Sequence, residues 1–509
     1  MKNQNLYLRL VGDRFLDAGD RPFLLTPGRP PLLYSELDEF AGKYATRLLQ
    51  LGVTPGDRVM VQVDKSPESV LLYLACLRVG AIYIPLNTAY TSAEISYFIS
   101  DAKPQLFVCQ PESQKTLLGL AQECDVPHIR TMDSEGAGDL LEGLEELDAS
   151  AEVVVREADE LAAILYTSGT TGRSKGAMLS HDNLRANAEV LHDYWHWHDE
   201  KDVLLHALPV FHVHGLFVAL HCALLGGSTV HFLAKFDLQQ VVERLPDCSV
   251  MMGVPTFYTR LLSDPRLTPE LCNRMRLFIS GSAPLLAETH REFEARTGFR
   301  ILERYGMTEA GMITSNPYDG ERLAGTVGFP LPGVSVRIAD NEGGELARGE
   351  TGVLELKGPN VFKGYWQMPE KTAAEFRQDG WFISGDNAIM DREGRISIVG
   401  RAKDLIISGG YNIYPKEIES EIDEIPGVDE SAVVGVPHPD FGESVAAIVV
   451  ADGSRDLSEQ DIIEPLQGRL ARFKQPKLVF FVDELPRNTM GKVQKAQLRD
   501  TYKSSFSNS

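Results

Sequence analysis

Residues 166–176, Y-T-S-G-T-T-G-R-S-K-G, combine glycines and hydroxyl groups with a single Lys, Lys175. Glycines let backbone N–H groups approach phosphate oxygens, and Ser and Thr hydroxyls add further donors. An apolar run precedes this stretch at residues 161–165, and a helix-like stretch follows it at residues 183–188. The order of strand, Gly-rich turn and helix predicts a phosphate-binding loop. Its spacing differs from the Walker loop, because Lys175 is followed by Gly176 and not by Ser or Thr.

Seven further segments combine glycines with polar side chains and follow the loop along the chain. They are P-V-F-H-V-H-G-L-F at 209–217, I-S-G-S-A-P at 279–284, E-R-Y-G-M-T-E at 303–309, G-W-F-I-S-G-D at 380–386, G-R at 400–401, S-G-G-Y-N-I-Y-P at 408–415 and P-R-N-T-M-G-K at 486–492. Together with the loop, these segments resemble the motifs of adenylate-forming enzymes, in that family's order. The family includes acyl-CoA synthetases, peptide-synthetase adenylation domains and firefly-type luciferases.

The resemblance implies a reaction in two steps. A carboxylate attacks the α-phosphorus of ATP, which gives an acyl-adenylate and pyrophosphate, and coenzyme A then takes the acyl group and releases AMP. Negative charge concentrates on phosphate oxygens in the first transition state, so fixed donors and cations should dominate catalysis. ATP, Mg²⁺ and coenzyme A are therefore the expected cofactors and co-substrates.

The resemblance also assigns the nucleotide site. Thr308 is expected to contact the α-phosphate, and Glu309 is expected to hold Mg²⁺ together with Thr170. Asp386 would accept hydrogen bonds from the ribose hydroxyls, with Arg401 beside the ribose and phosphate and Tyr305 stacked on adenine. The complete expected ATP-binding set is Thr167, Ser168, Gly169, Thr170, Thr171, Gly172, Lys175, Gly281, Ser282, Ala283, Glu303, Arg304, Tyr305, Gly306, Met307, Thr308, Asp386 and Arg401.

Lys492 matches the family's catalytic lysine and completes the expected catalytic set with Thr308 and Glu309. Its ammonium is expected to bridge the substrate carboxylate and the α-phosphate. For the thioester step, members of the family rotate the C-terminal domain about a hinge residue, which Lys403 matches. The turn formed by Ser408, Gly409 and Gly410 would then approach the pantetheine arm of coenzyme A, where glycine permits close backbone contact.

The acid is expected to contact His212, His214, Ser280 and Arg291. A guanidinium in the pocket wall would bind a second carboxylate through two parallel hydrogen bonds. The segments at 179–184, 253–262, 280–286 and 361–366 resemble malonyl-CoA synthetases. In that subgroup the arginine matching Arg291 binds the distal carboxylate. Residues 310–313, A-G-M-I, depart from the more polar residues of the subgroup, so malonate, methylmalonate and bulkier 2-substituted acids all stay open.

The bulk composition limits the choice of partners and compartment. The net charge of −22 argues against nucleic acid and anionic membranes as partners. No apolar run reaches the roughly 18 residues of a membrane span, and the six cysteines form no Cys-x-x-Cys pair, which favours a reducing cytoplasm. A basic stretch at residues 469–499 is a candidate docking surface for a polyphosphate such as coenzyme A. The oligomeric state stays open.

Alternating helical and strand patterns in the first part of the chain predict βαβ units and parallel sheets. The predicted fold class is α/β, with a large N-terminal domain at 1–402 made of two mixed α/β-sheet subdomains. A β-rich subdomain is expected at about 325–400, where short strand-like runs alternate with turns. A small, mobile α+β domain is expected at 403–509, with the hinge at Lys403.

Other functions fit part of the pattern. A ligase for a short-chain, medium-chain or aryl monocarboxylate would share everything except the role of Arg291. A stand-alone adenylation enzyme would load a separate carrier protein, and nothing in the sequence favours a luciferase-like oxygenase. A non-catalytic nucleotide-binding homologue would be expected to lose Lys175, Glu309 or Lys492, and all three are present.

Overall fold

The protein was analysed as a computed structural model that describes residues 3–15, 17–167, 174–408, 411–438, 441–467, 469–470, 472–488 and 491–506. These residues form four β-sheets with helices packed around them. The predicted α/β class is confirmed, with a large N-terminal part and a small C-terminal part. None of the described helices is long and apolar enough to cross a membrane.

The first sheet is mostly parallel. The elements up to residue 180 are α1 (Leu6–Leu10), β1 (Pro22–Leu25), β2 (Leu32–Leu33), α2 (Leu37–Gln50), β3 (Arg58–Gln62), α3 (Pro67–Val79), β4 (Ile82–Pro85), α4 (Ser92–Ala102), β5 (Leu106–Cys109), α5 (Pro111–Glu123), β6 (His128–Thr131), β7 (Leu161–Thr167) and β8 (Lys175–Ser180). Six strands pair in the order β6-β5-β3-β4-β7-β8, and only β7 and β8 are antiparallel neighbours. Strands β4 and β5 are buried along their whole length, as parallel strands covered by helices usually are.

Helix α3 illustrates how local sequence sets the element boundaries. The Ser66 hydroxyl accepts a hydrogen bond from the Ser69 backbone N–H at 3.2 Å, and Pro67 occupies the first helical position. Gly80 ends the helix with a φ of 72°, a left-handed conformation that glycine adopts without steric cost. Apart from Glu68 every residue of α3 is buried, because the helix is apolar around its whole circumference.

The second sheet has nine strands and shares its core with the first. Its further elements are α6 (His181–Tyr194), β9 (Val203–His206), α7 (His221–Gly226), β10 (Thr229–Phe232), α8 (Leu238–Arg244), β11 (Val250–Gly253), α9 (Pro255–Leu262), β12 (Leu277–Ser280), α10 (Ala287–Thr297), β13 (Leu302–Met307), β14 (Gly311–Ser315) and β15 (Phe329–Pro330). The strand order is β15-β14-β13-β12-β11-β9-β10-β1-β2. A π-helix at His214–Leu220 precedes α7, and π-helical turns are frequent at functional sites. One continuous apolar core joins both sheets.

The third sheet belongs to the β-rich subdomain, and the fourth sheet belongs to the C-terminal domain. They contain β16 (Ser335–Ala339), β17 (Thr351–Lys357), α11 (Pro369–Ala374), β18 (Phe382–Met390), β19 (Ile396–Arg401), β20 (Ile406–Ser408), β21 (Tyr411–Ile413), α12 (Pro415–Asp423), β22 (Val428–His438), β23 (Gly442–Ala451), α13 (Glu459–Leu466), β24 (Leu478–Phe481) and α14 (Lys495–Tyr502). Strands β16 to β19 form an antiparallel sheet, and β20 to β24 form the last one. Two apolar clusters built only from residues 406–506 lie around the last sheet. The proposed hinge, Lys403, lies in the 3₁₀ turn Ala402–Asp404 between these two sheets.

Candidate active site

The Gly-rich loop connects two antiparallel strands, and the predicted order of strand, turn and helix is wrong in this respect. Strand β7 ends at Thr167, which pairs with Lys175 at the start of β8, and α6 begins only at His181. The run at 175–180 is largely apolar and buried, which favours its pairing with β7. Strands β7 and β8 therefore form a hairpin. The expected phosphate-binding residues Ser168, Gly169, Thr170, Thr171 and Gly172 lie outside the described residues.

Lys175 is held by a carboxylate and by an aromatic ring. Its ammonium lies 3.0 Å from Glu375 Oε1 and 4.3 Å from the centre of the Tyr365 ring. The Tyr365 hydroxyl lies 3.0 Å from Glu309 Oε1 and 2.5 Å from Glu375 Oε2. Burial raises the pKa of Glu309. Burial alone would also raise the pKa of Glu375. Hydrogen bonds from Lys371, Tyr365 and Lys175 outweigh burial there and lower the pKa of Glu375. The structure thus brings Lys175 and Glu309 together around one phenol.

The expected ribose ligand, Asp386, is fixed from two sides. It lies on β18 opposite Arg401 of β19, and Arg401 Nε is 2.8 Å from Asp386 Oδ1. The Tyr305 hydroxyl donates to the other carboxylate oxygen, Oδ2. Burial and the Asp386 carboxylate raise the pKa of Tyr305 well above its usual value, so this phenol stays a donor. Three residues that sequence analysis assigned separately therefore form one group.

Further residues of the expected ATP-binding set lie on or beside neighbouring parallel strands. Ser280, the last residue of β12, pairs with Glu303 of β13, and Gly281, Ser282 and Ala283 follow β12. Ser282 has a φ of 71°, a left-handed conformation that is costly for a residue other than glycine and that often marks a functional turn. At Gly306 a Cβ atom would lie 2.2 Å from the Gly311 carbonyl oxygen, so only glycine fits there. Met307 ends β13, and Thr308 and Glu309 follow in the turn before β14.

Lys492 extends from the C-terminal domain towards the nucleotide site. Its turn is closed by two hydrogen bonds with Asn488, from Lys492 N to Asn488 Oδ1 and from Asn488 N to Lys492 O, both 2.9 Å long. A Cβ atom on the adjacent Gly491 would lie 3.9 Å from Thr256 of the N-terminal domain. Lys492 is an exposed residue. Desolvation by the surrounding protein, followed by the positive charge of Arg401, nevertheless lowers the pKa of Lys492. The other charged groups that act on it are Asp386, Glu309 and Arg304.

Arg304 is a buried cation without a carboxylate partner among the described residues. Its residue is 3% exposed, and its Nε and Nη2 atoms have no hydrogen-bond partner in the part of the chain that the structure describes. The guanidinium lies over Gly281, where a Cβ atom would come within 2.5 Å of Arg304 Cζ. Burial lowers the pKa of Arg304 to about 9. A buried, unpaired cation is costly, so this position calls for an anionic ligand.

Two of the expected acid-binding histidines lie beside this guanidinium. The His214 backbone N–H donates to His212 Nδ1 at 3.3 Å, and His214 Nδ1 lies 3.3 Å from Ser282 Oγ. Burial, and then the positive charges of Lys492 and Arg304, lower the pKa of His212 to about 3. Burial and the same guanidinium also lower the pKa of His214. Both rings are therefore neutral, and the His212 proton must be on Nε2 because Nδ1 accepts. The Ser280 hydroxyl is buried without a partner among the described residues.

The prediction that Arg291 faces the acid pocket is wrong in this structure. Arg291 lies on α10, its side chain is 64% exposed, and its Nη2 is 3.9 Å from Glu424 Oε1 of the C-terminal domain. The buried residues of α10 are Thr289, His290, Phe293 and Thr297, so the helix turns Arg291 away from the core. Arg304 was expected at the nucleotide, whereas the structure buries it beside His212 and His214 without a carboxylate partner among the described residues.

The residues expected to serve coenzyme A lie in the C-terminal domain. Ser408 ends β20 and pairs with Gly442 of β23, while Gly409 and Gly410 lie outside the described residues. The basic stretch at 469–499 is largely neutralised by acidic residues of its own domain. The pairs are Arg469 with Glu421, Lys474 with Glu417, Arg487 with Glu430, Lys495 with Glu419 and Arg499 with Asp404. This pairing weakens the case for a general polyphosphate-docking surface.

Sequence analysis also missed Glu375, Tyr365, Lys65 and His206, which support the site residues. Tyr365 was visible only as part of the segment 361–366, and Glu375 and Lys65 belong to no motif. Their contacts join distant parts of the chain, so no local spacing could have revealed them.

Known proteins resemble this chain over its whole length. The family model for AMP-binding enzymes matches residues 17–366, and the model for the C-terminal domain of AMP-binding enzymes matches residues 417–492. The mitochondrial malonate–CoA ligase of Mus musculus is 37% identical over 88% of this chain and 82% of its own length. A feruloyl-CoA synthase from an Amycolatopsis species is 36% identical over 93% of this chain and 95% of its own length.

The solved structures add information on the domain arrangement. ATP-bound MatB from Rhodopseudomonas palustris is 54% identical, covers 99% of this chain and 100% of its own, and has a TM-score of 0.97. Apo MatB from the same organism has the same identity and coverage but a TM-score of 0.86. The difference indicates that the domains of this chain are arranged as in the ATP-bound form, in agreement with the position of Lys492. The chain therefore belongs to the family of AMP-binding, adenylate-forming enzymes.

Proposed function

We propose that this enzyme is an ATP-dependent acid–CoA ligase that converts malonate to malonyl-CoA. In the first step a malonate oxygen bonds to the α-phosphorus of ATP, and the bond from that phosphorus to the bridging oxygen of pyrophosphate breaks. In the second step the thiolate of coenzyme A bonds to the acyl carbon, and AMP leaves with the acyl oxygen. The malonate–CoA ligases among the relatives support this assignment.

The observation that carries the proposal is the buried guanidinium of Arg304. A dicarboxylate can place one carboxylate beside Lys492 for reaction and offer the other to Arg304, whose Nε and Nη2 atoms lack partners among the described residues. Pairing would compensate the cost of burying the guanidinium through two charge-assisted hydrogen bonds. A monocarboxylate would leave that cost uncompensated, so the pocket would discriminate against it.

The two histidines suit a short dianion. Because the pKa of His212 is about 3, its neutral ring can donate from Nε2 at neutral pH without adding a charge. His214 and Ser280 add polar atoms to the same wall. We infer that His212, His214, Ser280 and Arg304 orient the acid, and that Arg291 takes no part in binding it.

The nucleotide roles remain those expected from the resemblance. Lys492 would stabilise the charge that develops between the acid and the α-phosphate, and Thr308 would donate to the α-phosphate. Glu309, a buried carboxylate, offers the hard oxygen ligand that Mg²⁺ prefers. When bound there, Mg²⁺ would neutralise charge on the departing pyrophosphate. Lys175 would exchange its Glu375 partner for the β- and γ-phosphates.

The thioester step is proposed to use a second domain arrangement, reached by rotation about Lys403. Ser408, Gly409 and Gly410 would then approach the pantetheine arm. Replacing Lys403 with Pro, which fixes φ, should spare adenylation and abolish formation of the thioester. Malonyl-CoA formation and pyrophosphate release measured on the same sample check this, and a variant normal in both would refute the hinge.

Substrate preference decides between the malonate proposal and its alternatives. Pyrophosphate release would be measured with malonate, methylmalonate, acetate, butyrate and coumarate at equal concentrations. We expect malonate, or malonate and methylmalonate, to be used best. Preference for butyrate or coumarate would contradict the dicarboxylate and favour a monocarboxylate–CoA ligase. Replacing coenzyme A with a carrier protein separates both from a carrier-loading enzyme.

A further inference from the structure

Among the residues that the structure describes, only neutral acceptors bind the Lys65 amino group, whose pKa is lowered well below its usual value by burial. Lys65 lies just beyond β3 of the first sheet, and its Nζ is 2.6 Å from the Leu233 carbonyl oxygen, 3.0 Å from the His206 carbonyl oxygen and 2.7 Å from His206 Nδ1. The same Nζ lies 4.2 Å from the centre of the Phe232 ring. No ion pair joins Lys65 to an acidic side chain among the described residues. Such a desolvated cation is costly, so its position calls for a functional reason.

The contacts of His206 determine where its ring carries a proton. Its other nitrogen, Nε2, lies 2.9 Å from the Gly215 carbonyl oxygen, which can only accept a hydrogen bond. Nε2 must therefore carry a proton. Burial, followed by the charge of Lys65, lowers the pKa of His206 well below its usual value, so the ring is neutral and its Nδ1 accepts from the Lys65 amino group. The Lys65 amino group and the Gly215 carbonyl thus favour the same tautomer, in which His206 donates from Nε2 to Gly215.

Gly215 connects this interaction to the acid pocket. It follows His214, whose ring contacts Ser282 at 3.3 Å, and it belongs to the π-helix His214–Leu220. The backbone is tightly packed here, because a Cβ atom on Gly215 would lie 2.0 Å from the Pro209 carbonyl oxygen. A displacement of the Gly215 carbonyl would therefore move the segment that carries His212 and His214.

We propose that Lys65 is a positioning residue for the acid pocket, which acts by holding His206 in the tautomer that anchors the Gly215 carbonyl. The inference rests on the proposed function only in taking His212 and His214 as acid-binding residues. The contacts of Lys65 are with His206, Leu233 and Phe232, none of which is assigned to the acid or the nucleotide. Lys65 connects the C-terminal end of β3 in the first sheet to the C-terminal ends of β9 and β10 in the second.

A double-mutant cycle with Lys65→Met and His206→Gln tests this mechanism. The Gln amide nitrogen can donate to the Gly215 carbonyl without any tautomer to select, so Lys65 should matter much less in that background. We expect Lys65→Met alone to raise the KM of the acid about tenfold, the scale of one lost orienting hydrogen bond, with the KM of ATP almost unchanged. In the His206→Gln background the same change should cost less than about threefold.

Two controls make the result specific. Lys43→Met removes a lysine that pairs with Glu39 on α2 at 2.8 Å and should leave both KM values unchanged. If Lys65→Met does not fold, Lys65→Gln, which keeps one amide donor group, enters the same cycle. Equal cost in both backgrounds, or a parallel rise in the KM of acid and ATP, would overturn the proposal. The acid used is the one that the wild type prefers, so a preference for a monocarboxylate would contradict the proposed substrate and leave this test intact.

Discussion

The proposed phosphate end, around Lys175 and Arg401, and the proposed acid pocket, around Arg304, handle charge in opposite ways. Around the phosphate end, Lys175 is paired with Glu375, and Arg401 is paired with Asp386. In the acid pocket, Arg304 is buried without a carboxylate partner in the described part of the chain, and the neighbouring histidines are neutral. The protein therefore pairs its own cations with carboxylates in the region that is expected to bind ATP, the substrate that all members of the family share. It leaves one cation uncompensated where the identity of the acid is decided.

The largest expected effect comes from Lys492, which lies between the two regions. Lys492→Ala should slow adenylation about 10²- to 10³-fold, the scale of losing one preorganised donor in the transition state. Thioester formation from synthetic malonyl-adenylate should be largely spared, because the lysine acts on the first step. Single-turnover measurements of both half-reactions check this. Equal losses in the two steps would remove Lys492 from its adenylation role.

Arg304→Met tests the acid pocket directly. Removing the cation should lower kcat/KM for malonate about 10²-fold, since truncating one partner of a desolvated charge pair costs about 2–5 kcal/mol. The KM of ATP should change little, and butyrate should be used better than by the wild type. Arg291→Gln is the matched control, and it should keep malonate kinetics within about twofold because its arginine is largely exposed. If Arg291→Gln impairs malonate use and Arg304→Met does not, the assignment of the pocket is wrong.

Glu375→Gln tests the ion pair that Lys175 forms at the proposed phosphate end. The variant weakens the partner of Lys175 and one acceptor of the Tyr365 hydroxyl, both in a half-buried setting. We expect the KM of ATP to change about three- to tenfold, the scale of one hydrogen bond to a charged group that is partly screened by solvent. The KM of malonate should stay constant. A change confined to malonate would mean that the two regions are not separate.

The smallest expected effect concerns the stability of the folded protein at acidic pH. The pKa of His212 falls from 6.5 to about 3 in the folded protein, so the unfolded chain binds more protons between these values. The contribution of His212 is fully present above pH 6.5 and is lost as the pH falls towards 3. His212→Gln should therefore make the decrease of Tm between pH 7 and pH 5 shallower. Expressed as free energy of unfolding, the change in slope should be less than roughly 1.4 kcal/mol per pH unit, the value for one proton, because the ring keeps some solvent contact. An unchanged slope would show that His212 is not kept neutral by the fold.

The structure brings together residues that local motifs had grouped, and it departs from the sequence predictions where orientation decides the outcome. Asp386 and Arg401 were assigned to the ribose, and they face each other because their strands pair. The Gly-rich loop was expected before a helix, whereas β8 intervenes, since a short apolar run does not distinguish a strand from a helix by periodicity alone. Arg291 and Arg304 were both visible as arginines near motifs. Which of the two is buried depends on how α10 and β13 pack, and no spacing in the chain contains that information.

By itself, the sequence determined the family, the α/β class and the nucleotide chemistry, because glycines, hydroxyls and carboxylates at fixed spacings are required wherever a backbone must approach phosphates. Tertiary structure alone decided which of the two arginines is buried and so which cation is proposed to face the acid. Arg304 meets His212 and Lys492 only because a parallel strand, a π-helical segment and a separate domain converge there. Tertiary structure also decided the tautomer of His206, since the donor Lys65 follows β3 of the first sheet and the acceptor carbonyl of Gly215 lies in the π-helix. Whether a charged side chain needs an ionic partner depends on its burial, and burial depends on how the whole chain packs.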